Sequence, residues 1–185
     1  LQTDYIDLYL LHGGTMDDPA DDIIATFESL RSAGKIRTYG ISSIRPNVIT
    51  QYVKKSELSA AMMQYSVLDR RPEEACLDLL ADHQVGVLAR GVLGKGLLAG
   101  KQPGRFLTLS EDDVGNFLHS LDEQRLPALA IGYVLGHHAV TSAVVGIRTK
   151  QQLDNIIQHY RQGITSLEYK HLSNVAPELR YQEHR

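Results

Sequence analysis

Tyr5-Ile-Asp-Leu-Tyr-Leu-Leu11 is apolar on both of its alternating faces apart from Asp7, and His12-Gly-Gly-Thr15 follows it at once. A short run of that kind predicts a strand of a parallel sheet, buried on both sides. The next segment changes period. From Asp21 to Ser32, after the turn-like Asp17-Asp18-Pro19, the apolar residues Ile23, Ile24, Phe27 and Leu30 stand at helical spacing. Ala33-Gly34-Lys35 ends that helix, with Gly34 suited to the left-handed position just past a helix.

The strand-then-helix unit repeats along the chain. Ile36 to Ile41 predicts a second strand, and Pro46 opens a helix running to about Lys55. Ala60 to Tyr65 is a third strand, and Pro72 starts a helix carrying Cys76, Leu77, Leu79 and Leu80. Val85 to Ala89 is a fourth strand, followed by a Gly-rich, irregular stretch from Gly91 to Ser110. A helix from about Pro127 to Leu135 comes next, then a fifth strand from Thr141 to Val145. Helices over Thr149 to Tyr160 and Leu167 to Val175 complete the pattern.

Strict alternation of strand and helix implies an α/β fold with a parallel sheet and right-handed crossovers. A doubly wound open sheet and a (β/α)8 TIM barrel both satisfy it. A complete barrel takes roughly 250 residues, so five βα units lean, on periodicity alone, toward the open sheet. The polar residues reverse that preference. His12 follows the first strand, Ser42-Ser43 the second, Gln64 ends the third, Arg90-Gly91 follow the fourth and Gly146-Ile-Arg148 the fifth. Strand carboxyl ends in a barrel share one rim, where sites are assembled from several strands. Loops after strands are polar in any α/β protein, so the placement favours a barrel without excluding the open sheet.

Composition removes several classes of function. The 185 residues are 43% hydrophobic and 22% charged, ordinary globular values, and no linker-like stretch divides what reads as one domain over 1–185. A net charge of −3 gives no footing for nucleic acid or a membrane surface, and Lys54-Lys55 and Arg70-Arg71 read as short solvated faces. The single cysteine, Cys76, fits a reducing cytoplasm, and no apolar run approaches the roughly 20 residues of a membrane span. The chain opens on a strand without an initiator Met, from which a truncated fold is expected. The strands at 5–11 and 141–145 would then be edges, and the chain is expected to bind a missing N-terminal half-barrel or self-associate.

Four strings carry a resemblance. Thr3-Asp-Tyr-Ile-Asp-Leu-Tyr-Leu-Leu-His12, Gly34-Lys-Ile-Arg-Thr-Tyr-Gly-Ile-Ser42, Leu93-Gly-Lys-Gly-Leu-Leu-Ala-Gly-Lys101 and Val145-Gly-Ile-Arg-Thr-Lys-Gln-Gln-Leu153 resemble the aldo-keto reductases, in order and spacing. The resemblance runs to about residue 160 and implies strands 4–8 of the barrel, a partial barrel. His-Gly-Gly-Thr at 12–15 and Ser-Ser-Ile-Arg-Pro-Asn at 42–47 are similar to a bacterial branch related to potassium-channel β-subunits.

The resemblance implies hydride transfer from NADPH to a small aldehyde or ketone. His12 matches the catalytic His that orients the carbonyl, a role that an imidazole at a strand end can fill. The family's Tyr, Lys and Asp come from its first three strands, and Tyr5, Tyr9, Tyr39 and Tyr65 lie outside that acid motif. Ser42 and Gln64 match ligands of the nicotinamide carboxamide, with Ser43 where the family usually has Asn. Arg90 replaces a stacking aromatic, which a planar guanidinium can imitate. Gly91-Val-Leu-Gly-Lys-Gly96 matches the pyrophosphate loop, with Val92 for the usual Pro, and Leu93, Lys95, Gly96 and Lys101 as further contacts. Gly146, Arg148, Thr149 and Gln152 match the adenosine end, where Arg148 suits a 2′-phosphate, and Asn155 stands one place before the family's Asn. No metal is expected, because His137 and His138 read as helix-end neighbours that point apart without a third ligand. The alternative to an enzyme is a non-catalytic dinucleotide-binding or regulatory protein of the same fold.

Overall fold

Every strand pairs with the next one in the chain. β1 (Ile6–His12), β2 (Ile36–Ser42), β3 (Ala60–Gln64), β4 (Gly86–Arg90) and β5 (Val140–Val144) form one parallel sheet in that order. The computed structural model describes residues 2–184. Among the described residues the connections between strands hold α1 (Ala20–Ser32), α2 (Pro46–Lys55), α3 (Cys76–Asp82), α4 (Glu111–His119) and α5 (Leu126–Leu135), and α6 (Lys150–Gln162) and α7 (Ser166–Val175) follow the last strand. The order lacks the reversal that a doubly wound sheet carries at its switch point, so the lean from periodicity toward that architecture is corrected. None of the helices among the described residues is long and apolar enough to cross a membrane.

The two faces of the sheet differ. Ile41, Ala61, Met63, Val87 and Ala89 are at most 1% exposed and point to the helix side. There Phe27 of α1 stacks on Tyr39 at 5.0 Å and meets Tyr9 edge-on at 5.8 Å. Alternation puts Leu10, His12, Ser42, Met62, Gln64, Leu88, Arg90 and Val144 on the other face, where they are half-buried or exposed. Tyr9 and Val144, on the two edge strands, stay 46% and 40% exposed. Among the described residues this second set is therefore less covered than the central part of the helix-backed set.

Several boundaries move from their expected places. The third strand ends at Gln64, the fourth shifts one residue later, and the fifth one earlier, since Val87 N already donates to Ala139 O at 3.1 Å. The helix expected from Pro72 is broken into a 3-10 turn, Arg71–Glu74, and α3, with Ala75 at φ −154° between them. Helix α4, which follows the Gly-rich stretch where no helix was expected before Pro127, is set by Ser110-Glu-Asp-Asp113. Ser110 Oγ accepts from Asp113 N at 3.1 Å, while the Asp113 carboxylate accepts from Ser110 N at 3.0 Å. Val114, Phe117 and Leu118 then bury one side of it.

Arg70 and Arg71 are not solvated faces. Their side chains are 21% and 20% exposed, and each is paired with a carboxylate, Glu73 and Asp69 respectively. Glu73 is the knot of the lower core. Its Oε1 accepts from Tyr65 Oη at 2.8 Å and Tyr133 Oη at 2.7 Å, and its Oε2 from two Arg70 nitrogens at 2.7 and 2.9 Å. Arg70 also donates to Ser173 O of α7 at 2.8 Å, and Tyr133 of α5 stacks on Tyr169 of α7 at 5.2 Å. Burial raises the Glu73 carboxyl, but the donors from Arg70, Tyr133 and Tyr65 outweigh it and hold its pKa below the ordinary 4.5. Because folding lowers that pKa, the Glu73 share of stability is present above 4.5 and is lost as the pH falls through its folded value. Glu73→Gln, which leaves Arg70 without a counter-charge, is expected to cost about 2–3 kcal/mol at pH 7 in urea denaturation. That loss should shrink as the pH is taken progressively below 4.5; a variant as stable as the parent at neutral pH would remove Glu73 from this role.

Candidate functional site

Parallel register brings the strand ends together. His12 is paired with Ser42 across β1 and β2, while Gln64, Arg90 and Val144 stand in line across β3, β4 and β5. Two left-handed glycines, Gly13 and Gly14, each at φ 88°, turn the chain away as soon as His12 has been presented. The turn is pinned: Gly13 N donates to Ser42 O at 2.8 Å, and the Arg45 guanidinium donates to Gly14 O. Hydrogen bonds from the Thr15 hydroxyl and backbone hold the Asp18 carboxyl below its ordinary value and lock the next turn. His12 itself is exposed.

Ser42 is half-buried at the rim, whereas Ser43 is 5% exposed and its Oγ accepts from Arg45 N at 3.2 Å. Gln64 donates through Nε2 to Asp69 Oδ2 at 2.8 Å, and its Oε1 accepts from Arg90 Nη1 at 3.3 Å. Asp69 is fully buried and also accepts from Arg71 Nε and Nη2 at 2.7 and 2.8 Å. Asp69 was not among the residues singled out from the sequence. The available signal was an acidic residue five after Gln64 and two before an arginine, too common a pattern to stand out.

Beyond Arg90 the chain forms one wall of a cleft of about 790 Å³, within the usual range for small-molecule sites. Gly91, Val92, Leu93, Lys95 and Gly96 line this wall; Gly146, Arg148, Gln152 and Asn155 line the opposite one. Gly91, Gly94 and Gly96 have φ of 70°, 55° and 94°, and Lys95 joins them in the left-handed region at 59°. Such turns bring backbone to the surface of the cleft instead of side chains. Helix α6 borders the same cleft from its first turn onward, through Gln152, Asn155 and His159, with Thr149 Oγ1 accepting from Gln152 N at 3.2 Å and no acidic residue in its first turn. An N-terminus of that kind, flanked by exposed Arg148 and Lys95, suits an anionic group. The residues present therefore fit a phosphate-bearing ligand whose far end reaches the sheet rim.

Other expected contacts fall elsewhere. Lys101 lies outside this cleft and lines a smaller depression with Leu97 and Gly100. The Gln152 amide oxygen is occupied by Arg148 N at 2.8 Å. Ile156, Glu123, Gln124 and His159 line the cleft although sequence reasoning gave them no part, because their approach depends on how α5 and α6 pack. His137 and His138 do not point apart on a helix. They lie in the turn after α5 with rings stacked at 4.7 Å, and Asp78 brings a third potential ligand within 4.8 Å. His137 Nδ1 accepts from Ala139 N at 3.3 Å, so its neutral ring carries the proton on Nε2. Burial, then the neighbouring His138, keep the His137 imidazole below its ordinary pKa.

The profile described as Aldo/keto reductase family matches residues 1–176. An uncharacterized oxidoreductase of Bacillus subtilis (strain 168) is 42% identical over 199 aligned residues, which take in 100% of this chain and 65% of that protein. An NADH-specific methylglyoxal reductase of Escherichia coli (strain K12) is 34% identical over 103 residues, covering 54% of this chain and 32% of the relative. The solved holo form of an aldo-keto reductase from Bacillus halodurans matches all of this chain at a TM-score of 0.95 and 43% identity, over 63% of its own length. The chain thus spans less than two thirds of the length of these relatives.

The cleft depends on how firmly α6 begins. Thr149→Ala removes its cap and is expected to cost about 1 kcal/mol. Faster amide hydrogen exchange at 150–153, with β3 and β4 unchanged, is the signature to look for; unaltered exchange there would show that the cap is dispensable.

Proposed function

The chain belongs to the aldo/keto reductase family, and from that premise we propose that it carries the dinucleotide site and one catalytic group, His12, of an NADPH-dependent carbonyl reductase. The observation that carries this is the alignment of one anion-suited cleft with a row of polar strand ends on a single face. Bound nicotinamide would supply the hydride. Ser42 and Gln64 would hold its carboxamide, and the Arg90 guanidinium would lie against the ring. Backbone from Gly91 to Gly96 would approach the pyrophosphate, with Lys95 adding positive charge. His12 would hydrogen-bond the oxygen of a small aldehyde or ketone and orient it for reduction.

Arg148 supports the choice of NADPH. It is an exposed cation at the mouth of the cleft, one residue before the α6 cap, where a 2′-phosphate would find both charge and dipole. The relative from Escherichia coli is named as NADH-specific, so the preference needs a direct measurement. Fluorescence titration should show NADPH bound more tightly than NADH. Arg148→Ala should remove about 1.5–3 kcal/mol of NADPH binding and little of NADH binding. Equal affinities in the parent, or an unchanged variant, would end the NADPH assignment.

We further propose that β1 to β5 correspond to strands 4–8 of a (β/α)8 barrel and act as one domain with the rest of it. In support, the strands pair in chain order, the inward face is less covered than the helix-backed one, and β1 and β5 each have one unpaired side among the described residues. No tyrosine acid stands beside His12 on that face among the described residues. Tyr39 donates to Glu28 and Tyr65 to Glu73, both phenols being raised chiefly by burial, while Tyr9 packs on Phe27 and Tyr5 accepts from Arg37. General acid catalysis is worth roughly 10²–10⁴-fold. The 185-residue chain by itself is therefore expected to associate beyond 20.6 kDa in light scattering and to show no NADPH oxidation with reactive aldehydes. A monodisperse monomer that binds no hydrophobic dye would count against the barrel, and turnover lost in His12→Ala would reveal another acid.

A further inference from the structure

We propose, on the basis of the cofactor assignment above, that Asp69 is a positioning residue: it fixes which end of the Gln64 amide faces the nicotinamide carboxamide. A glutamine amide has a donor end and an acceptor end of nearly the same shape, and rotation about its last bond exchanges them. An unrestrained Gln64 would offer either. Asp69 is fully buried, and a carboxylate only accepts. Its Oδ1 takes Arg71 Nε at 2.7 Å; its Oδ2 takes Arg71 Nη2 and Gln64 Nε2, both at 2.8 Å. The Gln64 NH2 must therefore turn toward Asp69. On the other side Arg90 Nη1 donates to Oε1 at 3.3 Å. Reversal would set acceptor against acceptor at Asp69 and donor against donor at Arg90. Two independent mismatches therefore enforce one orientation.

The rest of the loop keeps this arrangement rigid. Asp69 N donates to Ser66 O at 2.9 Å, and Ser66 N returns a bond to Asp69 O at 3.2 Å. Gly91 closes off the Gln64 stem, since a Cβ there would come within 3.2 Å of Gln64 Cγ. The charge of Asp69 is already matched by Arg71, which also lies over the Tyr181 ring at 5.2 Å. Burial of Asp69 is thus satisfied without Gln64, and the Gln64 contact adds direction. A Gln64 that presents Oε1 takes the NH2 end of the carboxamide and leaves its C=O end for the Ser42 hydroxyl. That pairing is readable in one sense only, so it sets which end of the carboxamide lies toward β3 and which toward β2.

Calorimetric titration of the 185-residue chain with NADPH and with 2′,5′-ADP, which lacks the nicotinamide, separates positioning from mere structure. Asp69→Asn places an NH2 among donors and should weaken NADPH about tenfold while leaving 2′,5′-ADP within about twofold. Gln64→Met should do the same, and the double variant should lose no more than either single change, because both act through one contact. Equal losses for both ligands, additive losses in the double variant, or unchanged NADPH binding by Asp69→Asn would overturn the proposal. Should Asp69→Asn fail to fold, Arg71→Lys keeps the charge and releases the two-toothed grip. Selective loss of NADPH then supports the proposal, and an unchanged affinity overturns it. A parent chain that binds neither ligand would instead strike at the cofactor assignment, and this proposal would fall with it.

Discussion

Parallel pairing in chain order is the constraint from which the site follows. A parallel strand can begin only after the chain has returned to the starting end, so helices take the back of the sheet and all carboxyl ends open on one rim. Residues as far apart in sequence as His12, Ser42, Gln64 and Arg90 become neighbours without any loop having to reach across. A slip of one residue would turn every one of them to the helix side. Gly40 guards against it: any Cβ at that position would run into the Ala60 carbonyl oxygen, so β2 and β3 approach as they do only with glycine there.

Two carboxylates four residues apart, Asp69 buried and Glu73 partly so, do different work. Glu73 looks down and ties β3, α5 and α7 through Tyr65, Tyr133 and Arg70; Asp69 looks toward the rim and holds Gln64. Their arginines are adjacent in sequence yet do not exchange partners, Arg70 staying with Glu73 and Arg71 with Asp69. Buried pairs of this kind contribute little net stability compared with apolar packing. What they supply is a single arrangement, since any regrouping would strand a charge away from water.

The architecture was largely legible in the sequence because it rests on periodicity and punctuation. Strand limits fell within a residue of expectation, and Pro46 marked a helix start. Helix α4 escaped because its signal is a capping box with three apolar contacts, hidden after a glycine-rich stretch. The site was legible where a local string carries the geometry, as in the Gly91 to Gly96 turns and the Thr149 cap. It was illegible where partners meet only in three dimensions. Arg70 and Arg71 look like surface charge until Glu73 and Asp69 turn inward to meet them, and His137 and His138 look like helix neighbours until the turn stacks their rings.

The glycine-rich wall of the cleft is closed by its own hydrogen bonds, Gly94 N to Gly91 O, Gly96 N to Leu93 O and Lys101 N to Gly96 O. Lys95 is held within it in a left-handed conformation that costs a lysine on the order of 1 kcal/mol. Ordering such a segment is normally charged to the ligand that settles on it. Here most of that ordering is completed when the chain folds, so an anion of the kind proposed would meet a wall already shaped by its own hydrogen bonds. On the proposed cofactor assignment this wall is preorganised, and discrimination among dinucleotides would fall to the two exposed cations that line the cleft, Arg148 and Lys95.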